Sequence, residues 1–363
     1  MIYLYDPEIT NKDISNVNKA LMKKWLSGNT PVVKEFEKKL ADYLGVKYVS
    51  SCSSGTTALH LALLASSIGE GDEVILPTLS YIATANAVRY VGANPVFVDV
   101  DSSTWQINVS EIEKKISKKT KAIMPVHLYG GVPDLESIAK IANCYKLKII
   151  HDSAEALGSK YKNKFSTNFK DISILSFFPN KIMTTGEGGA VVTNNKKDYQ
   201  LIENLKSQGL KGNIDYIHSQ IGYNYRLNSL SAALGLSQID RIEKNIKLKK
   251  ILFERYKKSL EPLGFKFQNF DKNSKSSYWL VSTLVPENIS RDKLKDYLYK
   301  NNIETRNIFY PLHEQSPYKN SFKNERYEIS ETISKKGICL PSSPNLKNEE
   351  FNKIIKSIKN YVL

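Results

Sequence analysis

The chain has 363 residues, of which 41% are apolar and 25% are charged, and its formal net charge is +15. This composition excludes wholesale disorder and fibrous architecture, and the length allows two domains or one large domain with an appendage. The positive charge leaves two interpretations open, a Lys-rich solvated surface or a surface for anionic partners such as nucleic acid.

Cysteines and apolar runs exclude further classes of protein. Cys52, Cys144 and Cys339 stand far apart, without the spacing of a zinc site or of a disulfide framework. The first residues lack the basic and apolar regions of a signal peptide, and no apolar run approaches the roughly 18–20 residues that span a bilayer. We therefore expect a cytoplasmic protein that binds neither a metal nor a membrane.

The predicted elements alternate between helices and strands over the first two-thirds of the chain. Thr30 can cap a first helix, Pro31 suits its first position and Gly45 suits its end. A second, apolar helix is predicted over about 56–67, after a short strand and a Gly-containing turn. Later apolar runs are typical of strands that are buried on both faces. These runs are EVILP, PVFVDVD, KAIMPVHL, KIIHDS, DISILSFF and GAVVTN.

After about residue 235 the pattern changes. A long basic amphipathic helix is predicted over 238–260, followed by the strand SYWLVSTLV, a helix at DKLKDYLYKNN and a last helix near NEEFNKIIKSIKNYV. The alternating part predicts an α/β layer with a mostly parallel sheet, and the later part predicts a smaller α+β unit. We expect a large domain over 1–240 and a small domain over 241–363.

Three segments contain candidate site residues. Gly55 and Thr56 begin a helix, where free N–H groups can bind an anion, although an ordinary helix cap explains the same residues. Asp152 follows a buried strand at the edge where ligands bind in α/β sheets, or it caps the next turn. Lys181 lies between two buried runs, so desolvation would lower its pKa and make its amine nucleophilic.

Together these segments supply what pyridoxal phosphate (PLP) needs from a protein. PLP needs an anion site for its phosphate, a carboxylate for its ring nitrogen and a reactive amine. Tyr81 offers an aromatic face that can stack on the ring. The combination therefore indicates a PLP enzyme.

The segments SSGTTALHLALLA, HDSAEALGSKY, DISILSFFPNKIMTTGEGGAVVTN and GYNYRLNSLSAALG resemble the sugar aminotransferases of the DegT/StrS family. The resemblance runs from about residue 5 to the C-terminus. It implies fold type I of the PLP-dependent transferases, which is aspartate aminotransferase-like, with a large mixed, mostly parallel sheet domain and a small α+β domain. It also implies a homodimer with shared active sites that transfers an amino group from L-glutamate to a nucleotide-linked keto sugar.

The resemblance assigns the residues around the PLP ring. Lys181 corresponds to the lysine that forms a Schiff base with PLP, which argues against the dehydratase branch, where histidine replaces it. Asp152 corresponds to the residue facing the ring nitrogen, and Glu155 to the Gln or Glu beside the phenolic oxygen. Tyr81 corresponds to the stacking aromatic residue. One departure is His151, at a position that is commonly acidic in the family.

The resemblance also assigns the phosphate contacts. Gly55, Thr56 and Ser176 correspond to the residues that bind the phosphate within one subunit. Asn224 corresponds to an asparagine that reaches the phosphate of the neighbouring subunit. The match at Asn224 is the basis for expecting a homodimer.

A C-terminal segment, 303–318, resembles the substrate loop of the family. It contains Arg306 and His313, although a surface ion pair and an ordinary loop histidine would explain them equally well. With 278–284 and 337–346, it most resembles members that aminate C4 of GDP-4-keto-6-deoxy-mannose, in lipopolysaccharide O-antigen biosynthesis. A UDP-linked 4-keto-6-deoxy-N-acetylhexosamine is the alternative substrate, and a nucleic-acid-binding function is a distant one.

Overall fold

The computed structural model describes residues 1–210 and 216–363. Helices in these residues are α1 (Asn11–Met22), α2 (Pro31–Leu44), α3 (Gly55–Ala65), α4 (Ala83–Tyr90), α5 (Val109–Ile112), α6 (Leu135–Cys144), α7 (Lys196–Leu205), α8 (Ser229–Ile239), α9 (Ile242–Leu260), α10 (Arg291–Lys300), α11 (Glu328–Lys336) and α12 (Asn348–Val362). Strands are β1 (Tyr48–Cys52), β2 (Glu73–Pro77), β3 (Asn94–Val98), β4 (Thr120–Ile123), β5 (Lys148–Asp152), β6 (Lys160–Tyr161), β7 (Lys164–Phe165), β8 (Ile172–Ser176), β9 (Gly189–Thr193), β10 (Lys266–Phe267), β11 (Ser274–Lys275), β12 (Val281–Leu284), β13 (Arg306–Asn307) and β14 (Gly337–Leu340).

A seven-stranded mixed sheet lies at the centre of the first two-thirds of the chain, in the order β1-β9-β8-β5-β4-β2-β3. The strands β8, β5, β4, β2 and β3 pair in parallel, and β9 pairs antiparallel with both β8 and β1. β1 therefore points the same way as the five parallel strands, and six strands end at one edge. This arrangement confirms the predicted α/β fold with a mixed, mostly parallel sheet.

Helices cover both faces of this sheet, which explains why its strands are apolar along their whole length. On one face, α3 and α4 share a buried cluster with Val74 and Leu76 of β2. On the other face, α6 shares a cluster with Ile75, and α2 and α8 share one with Leu175 of β8. Since both faces of the sheet are covered by apolar packing, the polar groups that can form a site lie at the ends of the strands.

The proline and the glycine around α2 fold as predicted, but the Thr30 side chain makes no cap hydrogen bond and instead contacts Ser229 Oγ at 2.6 Å. Thr30 is extended and precedes the helix, Pro31 is its first residue, and Gly45 ends it in the left-handed region with a φ of 65°. Pro at the start lacks an N–H that would have no acceptor there, and Gly adopts the left-handed conformation without a Cβ clash.

The helix predicted over 238–260 is wrong at its start. α8 ends at Ile239, and α9 begins at Ile242. The break coincides with charged contacts from the N-terminal segment, because Asp240 pairs with Lys12, and Arg241 pairs with Asp13. These tertiary contacts interrupt a run that is amphipathic throughout.

The last third of the chain contains a four-stranded antiparallel sheet, in the order β10-β12-β14-β13, beside α9, α10 and α12. Ile2 from the N-terminus joins the same hydrophobic cluster. Its N–H donates to the Asn302 carbonyl, and its own carbonyl accepts from Glu304 N, both at 2.8 Å. The division after residue 240 stays a prediction. None of the helices in the described ranges combines the length and apolarity of a membrane span.

Candidate active site

The predicted site residues come from several strands that end at the same edge of the large sheet. Asp152 is the last residue of β5, Ser176 is the last residue of β8, and Gly55 follows β1 by three positions. Lys181 lies in the loop between β8 and β9. The parallel course of β1, β5 and β8 is what brings these separate segments together.

Lys181 is enclosed by carboxylates and aromatic rings. Its Nζ lies 3.9 Å from Glu155 Oε1 and 3.7 Å from the centre of the Trp279 ring. The Tyr5 hydroxyl donates to the Lys181 carbonyl at 2.8 Å. Burial lowers the pKa of Lys181, and the nearby carboxylates of Glu155 and Asp152 oppose that shift. The amine is therefore easier to deprotonate than a solvated lysine.

Asp152 is a buried carboxylate that forms no ion pair in the described part of the chain. Its Oδ2 accepts a hydrogen bond from Thr84 Oγ1 at 2.7 Å, and its Oδ1 accepts one from Ala154 N at 3.2 Å. Within the described ranges, no lysine, arginine or histidine nitrogen lies within 4.0 Å of it. Burial raises the pKa of Asp152. A cation placed against this carboxylate would relieve the cost of burying it.

Glu155 is oriented by an unusual backbone conformation next to it. Tyr129 has a φ of 54°, in the left-handed region that aromatic residues rarely adopt, and its N–H donates to Glu155 Oε2 at 2.8 Å. Burial raises the pKa of Glu155, although Lys181 and this N–H act in the opposite direction. The carboxyl group of Glu155 is therefore easier to protonate than that of a solvated glutamate.

The start of α3 lies beside the end of β8. Ser54 caps the helix by accepting a hydrogen bond from Thr57 N at 3.1 Å, so the ordinary helix cap is present. The N–H groups of Gly55 and Thr56 belong to the first turn, where a helix offers no acceptor, and they can still bind an anion. A Cβ at Gly55 would lie 2.9 Å from that of Ser176, so the close approach of the two segments requires glycine.

These groups fit PLP in three respects. The first turn of α3 suits a phosphate, the uncompensated carboxylate of Asp152 suits a protonated ring nitrogen, and the buried amine of Lys181 suits an aldehyde. All three reach one edge of the sheet from different strands. Geometry and donor chemistry therefore support the cofactor that the sequence indicates.

A row of aromatic rings continues from Lys181 to Tyr81. Trp279 stacks on Tyr129 with 5.8 Å between ring centres, and Tyr129 stacks on Phe309 at 5.6 Å. Phe309 lies 5.8 Å from Tyr81, which is 58% exposed and thus has a ring face available for stacking. The row forms an apolar side of the candidate site.

Asn224 lies outside this group of residues. It is exposed, and its main chain forms an antiparallel bridge with Ser207. Its predicted contact belongs to a neighbouring subunit, so it stays a prediction.

The predicted substrate loop lies against the carboxyl end of β2. His313 is buried, with Nδ1 2.8 Å from Thr78 Oγ1 and Nε2 3.4 Å from the Glu331 carboxylate. Arg306 has a side chain that is 59% exposed and lies 3.8 Å from Glu304 Oε1. His313 thus anchors the loop here, whereas the Arg306 guanidinium is accessible to an anion. Their roles toward a substrate stay predictions.

Sequence reasoning missed several residues that orient the site. Thr84, Tyr129 and Tyr5 gave no signal, because their contacts depend on segments far away in the chain. Trp279 lies in the predicted strand SYWLVSTLV, and an aromatic residue with a polar N–H at a strand start could have suggested a role there. Its indole N–H donates to the Asn180 carbonyl at 2.7 Å.

Two buried histidines lie beside the site. His151 precedes Asp152, and its Nδ1 is 3.2 Å from Nε2 of His127, which in turn donates its main-chain N–H to the Asp152 carbonyl. Burial lowers the pKa of His151 to about 4 and holds that of His127 well below its usual range. Both rings are therefore neutral at physiological pH.

We expect this pair to make stability depend on pH. An unfolded histidine titrates near pH 6.5, so between about pH 6.5 and 4 the unfolded chain binds a proton that folded His151 does not. Stability is complete above that window and falls as pH falls through it, by about 1.4 kcal/mol per pH unit for each histidine. Urea unfolding at several pH values should show that the free energy of unfolding depends less steeply on pH in His151→Gln than in the unaltered protein.

The matched control is His218→Gln, since His218 is exposed. Its free energy of unfolding should depend on pH as steeply as that of the unaltered protein. The same pH dependence in all three proteins would contradict the prediction.

Comparisons with known proteins agree with this site. The model of the DegT/DnrJ/EryC1/StrS aminotransferase family matches residues 7–359. GDP-perosamine synthase of Escherichia coli O157:H7 is 46% identical over 360 residues, which cover 99% of this chain and 98% of that protein. GDP-perosamine synthase of Vibrio cholerae is 37% identical, with 99% of each chain covered. The PLP form of Spr1654 from Streptococcus pneumoniae superposes with a TM-score of 0.92 at 29% identity, covering 99% of this chain and 98% of that one.

Proposed function

This chain belongs to the DegT/DnrJ/EryC1/StrS aminotransferase family, and we propose that it transfers the amino group of L-glutamate to C4 of GDP-4-keto-6-deoxy-D-mannose, giving GDP-perosamine. It is a PLP-dependent sugar aminotransferase with the fold of that family, as the sequence predicts. The observation that supports the reaction best is the buried amine of Lys181, 3.9 Å from Glu155 Oε1 and within electrostatic influence of Asp152. The GDP-sugar is supported by the two GDP-perosamine synthases reported above.

PLP, when bound, supplies an aldehyde that takes up the amino group and a ring that accepts electrons. Lys181 Nζ is held by burial in a form that deprotonates readily, so with PLP bound it would act as the base that takes a proton from the α-carbon of glutamate and, once protonated, as the acid that returns it. Glu155, 3.9 Å away, can balance the charge of the lysine as a carboxylate when Lys181 is protonated.

Asp152 fixes the charge at the other end of the site. As a buried carboxylate with two hydrogen bonds and no ion pair within the described ranges, it would stabilise a proton on the ring nitrogen of bound PLP. Thr84 orients it, because its hydroxyl donates to Oδ2. The aromatic row of Trp279, Tyr129 and Phe309 keeps water from one side of Lys181.

The substrate side of the proposal depends on the loop that contains Arg306. An accessible guanidinium can bind a diphosphate through charge-assisted hydrogen bonds. Both relatives carry the name GDP-perosamine synthase, so the UDP-linked alternative is not favoured. Nucleic-acid binding is not favoured either, because the family is one of aminotransferases.

A coupled assay with purified protein, PLP and L-glutamate tests the proposal. We expect kcat/KM for GDP-4-keto-6-deoxy-D-mannose to exceed that for a UDP-linked 4-keto-6-deoxy-N-acetylhexosamine by at least about tenfold, since base and sugar contacts differ. Preference for the UDP-sugar would overturn the substrate, and no amino transfer to either sugar would overturn the proposed reaction.

We further propose that the enzyme is a homodimer with shared sites. Asn224 is exposed, and the segment before it carries two further exposed apolar side chains, Tyr216 at 92% and Ile221 at 87%, as interaction surfaces do. A second subunit covering this region would bury the isoleucine and bring Asn224 to the neighbouring phosphate site. The cytoplasmic location and the O-antigen role stay predictions.

A further inference from the structure

Lys249 is a buried lysine that the reaction above does not use. It lies in α9 with 1% of its surface exposed. Its Nζ donates to the Trp279 carbonyl at 2.8 Å and to the Ser342 carbonyl at 2.7 Å, and it lies 4.6 Å from the centre of the Tyr5 ring. In the described part of the chain, no carboxylate oxygen lies within 4.0 Å of it. Burying an ammonium without a counter-ion is costly.

The contacts of Lys249 lead to Lys181 by two separate routes. Trp279, whose carbonyl Lys249 binds, places its ring 3.7 Å from Lys181 Nζ and donates its indole N–H to the carbonyl of Asn180. Tyr5, whose ring Lys249 contacts, donates its hydroxyl to the Lys181 carbonyl at 2.8 Å. One route thus reaches the amine and the other reaches the backbone of the same residue.

The type of side chain suits this arrangement. Two carbonyls and an aromatic ring surround Nζ, and an ammonium can interact with all three, as donor to the carbonyls and as cation at the ring. An apolar side chain of similar length would fill the space without the cost of burying a charge, but it could not hold the three groups in place.

We propose that Lys249 is a positioning residue, which fixes Trp279 and Tyr5 and thereby sets the orientation of the Lys181 amine. The catalytic part of this inference rests on the proposed function. The placement of Trp279 by Lys249 can be tested without it.

The test uses Lys249→Met, Lys249→Arg and a matched control, Lys250→Met, at an exposed lysine of the same helix. Each protein is labelled with 5-fluorotryptophan, and the Trp279 resonance is assigned by its loss in Trp279→Phe. Fluorine NMR of the protein without PLP then reports the surroundings of Trp279. Steady-state kinetics of the PLP-loaded proteins give kcat and KM for L-glutamate.

For Lys249→Met we expect a changed Trp279 resonance, with the resonances of Trp25 and Trp105 unchanged. We also expect kcat to fall by up to about 10²-fold, the scale of a catalytic group misplaced by about 1 Å, with KM for glutamate within about twofold. Lys249→Arg, which retains charge and donors, should restore much of kcat. Lys250→Met should match the unaltered protein in every measurement.

Three results would overturn the inference. The first is an unchanged Trp279 resonance in Lys249→Met. The second is a changed resonance with an unchanged kcat, since Trp279 would then not act on Lys181. The third is failure of Lys249→Met to fold, confirmed with Lys249→Gln, which would assign the lysine to global stability. Absence of aminotransferase activity in the unaltered protein would overturn the proposed function alone, because the NMR result does not depend on it.

Discussion

Replacing Lys181 with alanine is expected to give a folded protein whose amino transfer falls by about 10⁴-fold or more, the upper range for loss of a positioned proton-transfer group. The amine is the buried base of the site, 3.9 Å from Glu155 Oε1, and no other lysine in the described ranges lies so close to that carboxylate and to Asp152. Transfer from glutamate to the GDP-sugar measures the loss. The visible spectrum with PLP should also lack the band of covalently attached cofactor.

Two variants accompany this experiment. Lys164→Ala removes an exposed lysine of β7 and should retain full activity. Lys181→Arg retains the positive charge but has no readily deprotonated amine, so it should be as inactive as the alanine variant. Normal turnover by Lys181→Ala would remove this lysine from the mechanism.

Asp152→Asn is expected to lower kcat by about 10²-fold to 10³-fold, the range for loss of one preorganised electrostatic group. Asparagine has nearly the same shape, and with its oxygen accepting from Ala154 N its amide N–H can donate to Thr84 Oγ1, so the change removes the charge and keeps both contacts. Without the charge, a proton on the facing ring nitrogen loses its stabilisation. Kinetics at saturating glutamate would show the loss in kcat rather than in KM.

Asp296→Asn is the control, since Asp296 is an exposed carboxylate of α10 far along the chain from the site. It should leave kcat unchanged. If Asp152→Asn retained more than about half of the normal kcat, the carboxylate would have no electrostatic role in the reaction.

Sequence patterns predicted the parts of the fold that local chemistry determines. The helix over 31–44 follows from its proline and its terminal glycine, and the buried strands follow from continuous apolar runs. The antiparallel course of β9 could not be predicted, because Gly189–Thr193 is as apolar as its parallel neighbours. The break at Asp240 and Arg241 likewise depends on partners at the N-terminus.

Some residues of the candidate site could likewise be predicted from local sequence patterns, and others could not. Lys181 and Asp152 could be predicted, because each is a charged residue next to a buried apolar run. Burying a charge is costly, so a charge in such a position indicates a functional role. The groups that orient them come from distant segments, since Thr84 lies 68 positions from Asp152 and Tyr5 lies 176 positions from Lys181. A local sequence pattern cannot predict a contact between residues so far apart in the chain.

The position of Tyr5 has a consequence for the order in which the molecule is made. The segment around Tyr5 leaves the ribosome long before residues 342 and 343, yet the Leu4 carbonyl accepts from Ser342 N, and Asp6 N donates to Ser343 Oγ at 2.6 Å. The segment that contacts Lys181 therefore has no complete binding place until Ser342 and Ser343 have been translated. The nascent sheet can form around its own strands during synthesis, but the surroundings of its lysine are completed only after the C-terminal segment emerges.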